Sequence, residues 1–123
     1  MERTLGIVST RIGNKVKTKL ELRLQERYTG TGLFDRVSII DLDNPEFDKS
    51  CTDYIAHLYD VFEQDIEGLA KIKAVNKESR IIGFSRNPDL RDMYKDVAEV
   101  YEFPTEAYEI YESEAKAAIT SHN

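Results

Sequence analysis

Apolar and polar residues alternate along the chain in blocks that predict strands separated by helices. Apolar runs rich in β-branched residues predict strands at Thr4–Ser9, Val37–Leu42 and Arg80–Ser85. The short pair Leu33–Phe34 and the segment Val100–Pro104 complete five strand candidates. The last of these is expected at a sheet edge, because proline cannot donate a hydrogen bond to a central ladder.

Helical spacing of apolar residues fills the intervals between these strands. The predicted helices are Asn14–Arg27, Thr52–Val75, a segment from Pro88 or Asp89 to Glu99, and Glu106–Ile119. Strands that alternate with helices predict a parallel sheet covered on both faces. The expected fold is therefore α/β, a flavodoxin-like doubly wound sheet of five parallel strands in a three-layer α/β/α sandwich.

Length and composition predict one domain over residues 1–123. The chain is 41% hydrophobic and 33% charged, which is too apolar for a disordered segment. It contains no apolar stretch near the roughly 20 residues that a membrane span requires. A single cysteine, Cys51, excludes an internal disulfide and fits a reducing compartment, so the expected location is cytoplasmic. A structural zinc site usually takes four Cys or His ligands, and the chain has only Cys51 and two histidines, so such a site is not expected.

The charge of −6 is unevenly distributed. Residues 1–40 carry eight Lys or Arg against four Asp or Glu, giving +4, and residues 41–123 carry nine against nineteen, giving −10. The basic part can attract phosphate groups, whereas the acidic remainder disfavours nucleic acid as a partner. We therefore expect a protein partner that docks through opposite charge, and we expect neither nucleic acid nor a membrane as a partner.

A polar segment directly behind the first strand, Thr10-Arg11-Ile12-Gly13-Asn14, is the strongest candidate for a binding site. The loop that leaves a parallel strand and opens a helix offers free backbone N–H groups and the positive end of the helix dipole to an anion. Six residues form this candidate phosphate site: Ser9, Thr10, Arg11, Gly13, Asn14 and Lys15. An ordinary strand–helix turn is the open alternative. The spacing of a nucleoside-triphosphate P-loop is absent.

The segment Thr10-Arg11-Ile12-Gly13-Asn14-Lys15 resembles the loop that wraps the FMN phosphate in flavodoxins. Gly83-Phe84-Ser85-Arg86-Asn87-Pro88-Asp89 and Tyr101-Glu102-Phe103-Pro104 resemble the NrdI family, the small flavodoxins that serve class Ib ribonucleotide reductase. This resemblance implies an FMN-binding electron-transfer protein whose partner is the small subunit of ribonucleotide reductase. It also implies that Asn44, Phe47, Ser85 and Asn87 border the flavin ring.

A second resemblance involves Ile39-Ile40-Asp41-Leu42-Asp43, which is similar to the phosphoacceptor segment of response-regulator receivers. Asp41 stands in the acceptor's place, but Ser9 and Thr10 replace the acidic pair that holds Mg²⁺, and Phe103 replaces a lysine. Such a chain has too few hard oxygen ligands for the metal. This resemblance implies a phosphorylation-independent pseudo-receiver that binds protein partners. An unrelated small α/β domain for another phosphorylated ligand is the third interpretation.

Overall fold

A computed structural model of the chain describes residues 2–9, 19–42, 46–58 and 63–120. The strands in these ranges are β1 (Thr4–Ser9), β2 (Arg36–Asp41), β3 (Asp53–His57), β4 (Arg80–Phe84) and β5 (Glu99–Tyr101). The helices are α1 (Lys19–Thr29), α2 (Glu63–Val75), α3 (Pro88–Tyr94) and α4 (Pro104–Thr120). Strand and helix alternate along most of the chain, as the apolar pattern predicts.

All five strands form one parallel sheet in the order β2-β1-β3-β4-β5. The register pairs Leu5 of β1 with Val37 of β2 on one side and with Asp53 of β3 on the other. This is the predicted flavodoxin-like, doubly wound fold. Because every strand runs the same way, the sheet has a carboxyl edge, where the strands end, and an amino edge, where they begin. The chain reverses its direction of travel across the sheet between β1 and β3, which defines a topological switch point.

Helices cover both faces of the sheet and bury a separate core on each. On one face, α1 and α4 contribute Tyr28 and Tyr111 to a cluster with Leu5, Ile7 and other buried residues. On the opposite face, α2 and α3 contribute to a second cluster that includes Leu69, Ile72, Tyr94, Tyr54 and Ile81. The molecule is therefore a three-layer sandwich, as predicted.

Three sequence-based predictions of secondary structure are wrong. The helix predicted to continue to Glu99 ends at Tyr94, and Glu99 begins β5. The segment Thr52–Val75 is predicted to be helical with a break near Asp65–Gly68, but its first part forms strand β3 (Asp53–His57), and α2 spans Glu63–Val75. The short pair Leu33–Phe34 is not a strand. Phe34 is instead buried against the α1–α4 face by packing on Tyr28. The count of five strands is correct, but β3 replaces Leu33–Phe34 as the fifth member.

The connection from β2 to β3 returns from the carboxyl edge to the amino edge of the sheet. Its described part, residues 46–52, contains no helix and is called the crossing segment. The Tyr54 hydroxyl anchors it by donating to the carbonyl of Asp48 (2.8 Å) and accepting from the N–H of Cys51 (3.1 Å). The Asn76 amide donates to the carbonyls of Lys49 and Cys51, at 3.2 and 3.0 Å. These side-chain bonds replace the backbone ladder that a helix would supply.

Tyr28 lies at the centre of an aromatic cluster between α1, α4 and the sheet. Its ring makes edge-to-face contacts with Phe34, Tyr108 and Tyr111 at centroid distances of 6.4, 5.6 and 5.6 Å. Tyr28 is fully buried, and its hydroxyl has no hydrogen-bond partner within the described ranges. Burial raises the pKa of this phenol. Since a buried hydroxyl without a partner costs free energy, ring packing is what holds Tyr28 in place.

The two buried tyrosines of this cluster should respond differently to loss of the hydroxyl group. We expect Tyr111→Phe to lower the free energy of unfolding by about 2 kcal/mol, because it removes a bond to a charged group. That bond joins the Tyr111 hydroxyl to the buried Asp53 carboxylate at 3.0 Å. We expect Tyr28→Phe to leave the free energy unchanged or to raise it by up to about 1 kcal/mol. Urea unfolding of both variants measures the difference, and equal losses would contradict this assignment.

Candidate functional site

The carboxyl edge of the sheet is where ligands bind in folds of this class. Strand register aligns the ends of the strands there, because Ser9 pairs with Asp41, His57 with Phe84, and Phe84 with Tyr101. Val8 pairs with Ala56, so the ends of β1 and β3 lie side by side at the switch point. The ends of β1, β3 and β4 therefore lie at the same edge of the sheet.

The predicted phosphate site begins at this edge. Ser9 is the last residue of β1, as predicted from the apolar run that precedes it. The other members of the site, and the ring-bordering residue Asn44, lie outside the described residues: Thr10, Arg11, Gly13, Asn14, Lys15 and Asn44. Their roles stay predictions from the sequence.

The turn behind β4 carries two predicted site residues, Ser85 and Asn87. Ser85 is buried; its hydroxyl accepts a hydrogen bond from the N–H of Asn87 (3.1 Å), and its own N–H donates to the carbonyl of Tyr101 (2.9 Å). The Asn87 side chain caps α3 by accepting from the N–H of Asp89 (2.9 Å). Arg91 donates to the Ser85 carbonyl at 2.8 Å. These bonds hold the backbone of residues 85–87 in one arrangement at the carboxyl edge.

Phe47, predicted to border a flavin ring, serves the protein core. It is buried, and it belongs to the cluster that includes Ile40 and Tyr54. The prediction placed its loop behind a third strand, but the structure places it behind β2 and in the crossing segment. Asp48, the next residue, forms a 3.2 Å salt bridge with Arg36 at the beginning of β2. The crossing segment has reached the amino edge by this point, so Phe47 is not on the loop expected to hold a ligand.

Arg86 and Phe103 are exposed neighbours at the carboxyl edge, and the sequence predicts a binding role for neither of them. The Arg86 guanidinium carbon lies 5.7 Å from the centroid of the Phe103 ring, which is 40% exposed. The Glu106 carboxylate holds the start of α4 by accepting from the N–H groups of Glu102 (3.0 Å) and Phe103 (3.4 Å). The position of Arg86 in the turn behind a predicted strand was the signal that could have identified it.

His57 also comes to this edge, as the last residue of β3. The helix predicted over Thr52–Val75 puts His57 inside a helix, away from the loops of the carboxyl edge. The next residue, Leu58, continues the pairing by donating its N–H to the carbonyl of Phe84 (3.0 Å). The backbone thus places the end of the central strand between the ends of β1 and β4.

The amino edge has a different chemistry, built on the buried carboxylate of Asp53. Arg3 donates to both oxygens of Asp53, from Nε at 3.2 Å and from a terminal nitrogen at 3.4 Å. Two hydroxyls complete the set, from Thr52 at 2.8 Å and Tyr111 at 3.0 Å. Burial, together with the Asp53 charge, raises the pKa of Tyr111. The four hydrogen bonds that the Asp53 carboxylate accepts tie α4 to the sheet.

Glu114 extends these contacts into a chain of alternating charges, here called the ion network. Its carboxylate bridges Arg3 (2.8 Å) and Arg80 (3.1 Å). Arg80 in turn pairs with Glu99 through two nitrogens, at 2.6 and 3.1 Å, and this pair lowers the pKa of Glu99. The network therefore links the segment before β1 to β3, β4, β5 and α4. Each charge has an opposite partner, which identifies the amino edge as a stabilising structure.

Two surface depressions at the amino edge border the crossing segment. One of them has a volume of about 470 Å³ and is lined by Lys49, Ser50, Val75 and Asn76. Lys49 donates to the carbonyl of Phe47 at 3.3 Å, and the Asn76 amide is used as described above. Lys49 and Asn76 hold the crossing segment, whereas ligands of this fold class bind at the carboxyl edge, so the carboxyl edge is the better candidate site.

The structure was also searched for metal sites and for membrane-spanning helices, and the chain was compared with known proteins. In the ranges that the structure describes, no group of three or more His, Cys, Asp or Glu is arranged to hold a metal ion. None of the helices described is both long and apolar enough to cross a membrane. Comparison of the chain with protein-family models, curated proteins and solved structures gives no match.

Proposed function

We propose that this chain is a flavodoxin-like electron-transfer protein that binds FMN at the carboxyl edge of its sheet. The supporting observation is the strand order β2-β1-β3-β4-β5, with all strands parallel. This order brings the ends of β1, β3 and β4 together at the switch point. The segment that resembles a flavodoxin phosphate loop follows β1 directly in the sequence, and in such folds ligands bind at this point.

The chain's residues fit the chemistry of this ligand. Thr10, Gly13 and Asn14 would hold the phosphate through hydroxyl, backbone and amide groups, with Arg11 and Lys15 supplying positive charge. The fixed turn at Ser85–Asn87 would form a wall beside the ring. FMN when bound supplies the redox chemistry, and the protein supplies binding, orientation and electrostatics.

The pseudo-receiver alternative is less well supported. That resemblance puts Asp41 at the end of a third strand, preceded by two strand–helix units. In the structure Asp41 ends β2, an edge strand, and only β1 and α1 precede it among the described elements. We therefore expect no stable phosphorylation of Asp41 by acetyl phosphate with Mg²⁺. Detection of a phosphoryl group on Asp41 by mass spectrometry would favour the receiver interpretation instead.

The partner proposed on the same resemblance is the small subunit of a class Ib ribonucleotide reductase. The support is the excess of acidic residues in positions 41–123, which suits docking to a surface of opposite charge. Binding of the two purified proteins should then weaken as the salt concentration rises. Association that does not depend on salt, or no association, would argue against this partner.

The absorption spectrum of the purified protein and its titration with FMN test the proposal. We expect flavin bands in the visible region or, in protein lacking flavin, saturable binding of added FMN. Gly13→Val should abolish binding, because a branched side chain blocks close approach of the backbone to the phosphate. Thr10→Ala should weaken binding by about 1–3 kcal/mol through loss of a hydrogen bond to a charged group.

The matched control is Gly30→Val, which places the same side chain at an exposed glycine behind α1. This variant should bind FMN as the wild type does. If neither wild-type nor control protein binds FMN, the proposed function is wrong. If Gly13→Val binds as tightly as Gly30→Val, the flavin site lies elsewhere on the chain.

A further inference from the structure

The backbone of residues 47–51, within the crossing segment, is held by side chains. Among the residues that the structure describes, no hydrogen bond joins this backbone to another backbone group. The bonds that it receives from outside the segment come from the Tyr54 hydroxyl and the Asn76 amide. A crossover between parallel strands usually contains a helix, which is stabilised by its own backbone bonds. The crossing segment depends on two side-chain anchors instead.

Each anchor holds the segment at two points, and the two anchors share one residue. The Tyr54 hydroxyl is bonded to the carbonyl of Asp48 and to the N–H of Cys51. The Asn76 amide donates to the carbonyls of Lys49 and Cys51. Because Cys51 is bonded by both anchors, a displacement that breaks the bonds of one anchor also strains those of the other. The segment should therefore leave the protein as a unit.

Both anchors have backbone bonds of their own outside the crossing segment. Tyr54 lies in β3 and pairs with Gly6 on one side and with Ile81 on the other. Asn76 follows α2 directly, and its N–H donates to the carbonyl of Ile72 at 2.8 Å. These bonds are kept when the crossing segment is displaced. Opening of the segment is therefore separable from unfolding of the sheet.

The reactivity of Cys51 reports whether the segment is open. Cys51 is the only cysteine in the chain, and it is fully buried. Burial raises the pKa of its thiol, so the closed form contains little of the reactive thiolate. The surface depression lined by Lys49 and Asn76 lets water reach one of the anchors. Water there can replace the bonds that the Asn76 amide loses when the segment opens.

We propose that the crossing segment opens as a unit while the rest of the fold stays intact, and that the Asn76 amide is the group that keeps it closed. The open form uncovers the Cys51 thiol and the Phe47 ring, both of which are buried in the closed form. The protein therefore has a thiol whose accessibility is set by a local conformational change and not by global unfolding. This inference does not depend on FMN binding.

The reaction of Cys51 with the thiol reagent DTNB tests the opening in the wild-type protein. The rate is measured at urea concentrations below the unfolding transition, with DTNB low enough for the rate to be proportional to its concentration. The urea dependence of this rate reports how much surface the opening exposes. We expect a dependence well below that of global unfolding, and a reaction faster than the unfolded fraction allows. A rate and a urea dependence that match global unfolding would overturn the proposal.

Asn76→Asp tests the group that keeps the segment closed. The substitution replaces an amide that donates two bonds by a carboxylate of nearly equal size that cannot donate. We expect Cys51 to react about ten- to hundredfold faster in this variant, still with a urea dependence below that of global unfolding. Asn87→Asp is the matched control, because it keeps the side-chain oxygen that accepts from the N–H of Asp89 (2.9 Å). This control should react at the wild-type rate.

Two results would show that Asn76 does not hold the segment. They are an unchanged rate in Asn76→Asp and an equal rise in Asn87→Asp. Circular dichroism confirms that each variant is folded. If Asn76→Asp does not fold, the urea dependence of the wild-type reaction still decides whether the segment opens by itself.

Discussion

Replacing Asp53 by alanine should lower the free energy of unfolding by about 3 kcal/mol, since it breaks a buried ion pair by removing one partner. The substitution leaves the buried Tyr111 hydroxyl without its acceptor and removes the carboxylate that Arg3 contacts through two nitrogens. The side chain of Arg3 is about one-third exposed, so water recovers part of the loss at that end. For a domain of this size we expect the melting temperature to fall by about 10 °C.

Two further variants test the reason for this loss. Asp53→Asn keeps the shape and one acceptor oxygen, so it should cost clearly less than Asp53→Ala. Glu112→Ala removes a carboxylate from an exposed pair with Lys116 on α4 and should leave the free energy of unfolding nearly unchanged. Urea unfolding measures all three variants. If Asp53→Ala is as mild as Glu112→Ala, the ion network does not hold α4 to the sheet.

Replacing Gly6 by valine should lower the free energy of unfolding by about as much as Asp53→Ala does, because it crowds the core. A Cβ atom at Gly6 would lie 2.8 Å from Cγ1 of Ile40 and 2.8 Å from Cδ1 of Tyr54, and both of these side chains are buried. We expect a loss of about 2 kcal/mol for Gly6→Ala and about 3 kcal/mol for Gly6→Val. Displacement of Tyr54 should also loosen the crossing segment, so the Cys51 thiol should react faster with a thiol reagent.

The control for Gly6 is Gly30→Ala, where the nearest atom to the added Cβ is the Arg27 carbonyl oxygen at 3.4 Å. This variant should unfold within about 0.5 kcal/mol of wild type. In a double-mutant cycle, Gly6→Ala combined with Ile40→Ala should lower the free energy of unfolding by less than the sum of the two single changes. The reason is that Ile40→Ala removes the atom that the added Cβ meets, and the added Cβ fills part of the space that Ile40 leaves. Strict additivity would show that Ile40 is not the residue that Gly6 accommodates.

Local patterns in the sequence predicted the fold class correctly but assigned the central strand β3 to a helix. The run Thr4–Ser9 was identified with its observed bounds, since β-branched apolar residues buried on both faces have no helical alternative of that length. Strand β3 was mistaken for helix because its apolar core, Tyr54–Ala56, is only three residues long and begins behind the polar residue Asp53. Asp53 is buried by long-range pairing with Arg3, which no local pattern reveals.

The candidate site was predictable where it depends on the ends of strands. The turn at Ser85–Asn87 lies where the end of an apolar run placed it, and Asn87 caps the helix that follows. Phe47 could not be placed in the same way, because its burial depends on a connection that crosses the sheet without a helix. His57 was placed in a helix, and not at the carboxyl edge, because β3 was mistaken for helix. Errors in one central strand therefore changed which loops were thought to share the binding edge.

The separation of the ion network from the carboxyl edge affects how this protein can change under selection. The paired charges that join α4 to the sheet all lie at the amino edge, whereas the turns at 85–87 and 102–103 lie at the opposite end of the strands. Substitutions in those turns leave the network intact. A library randomised at exposed positions of the turns can therefore vary the chemistry of the carboxyl edge at little cost in foldability.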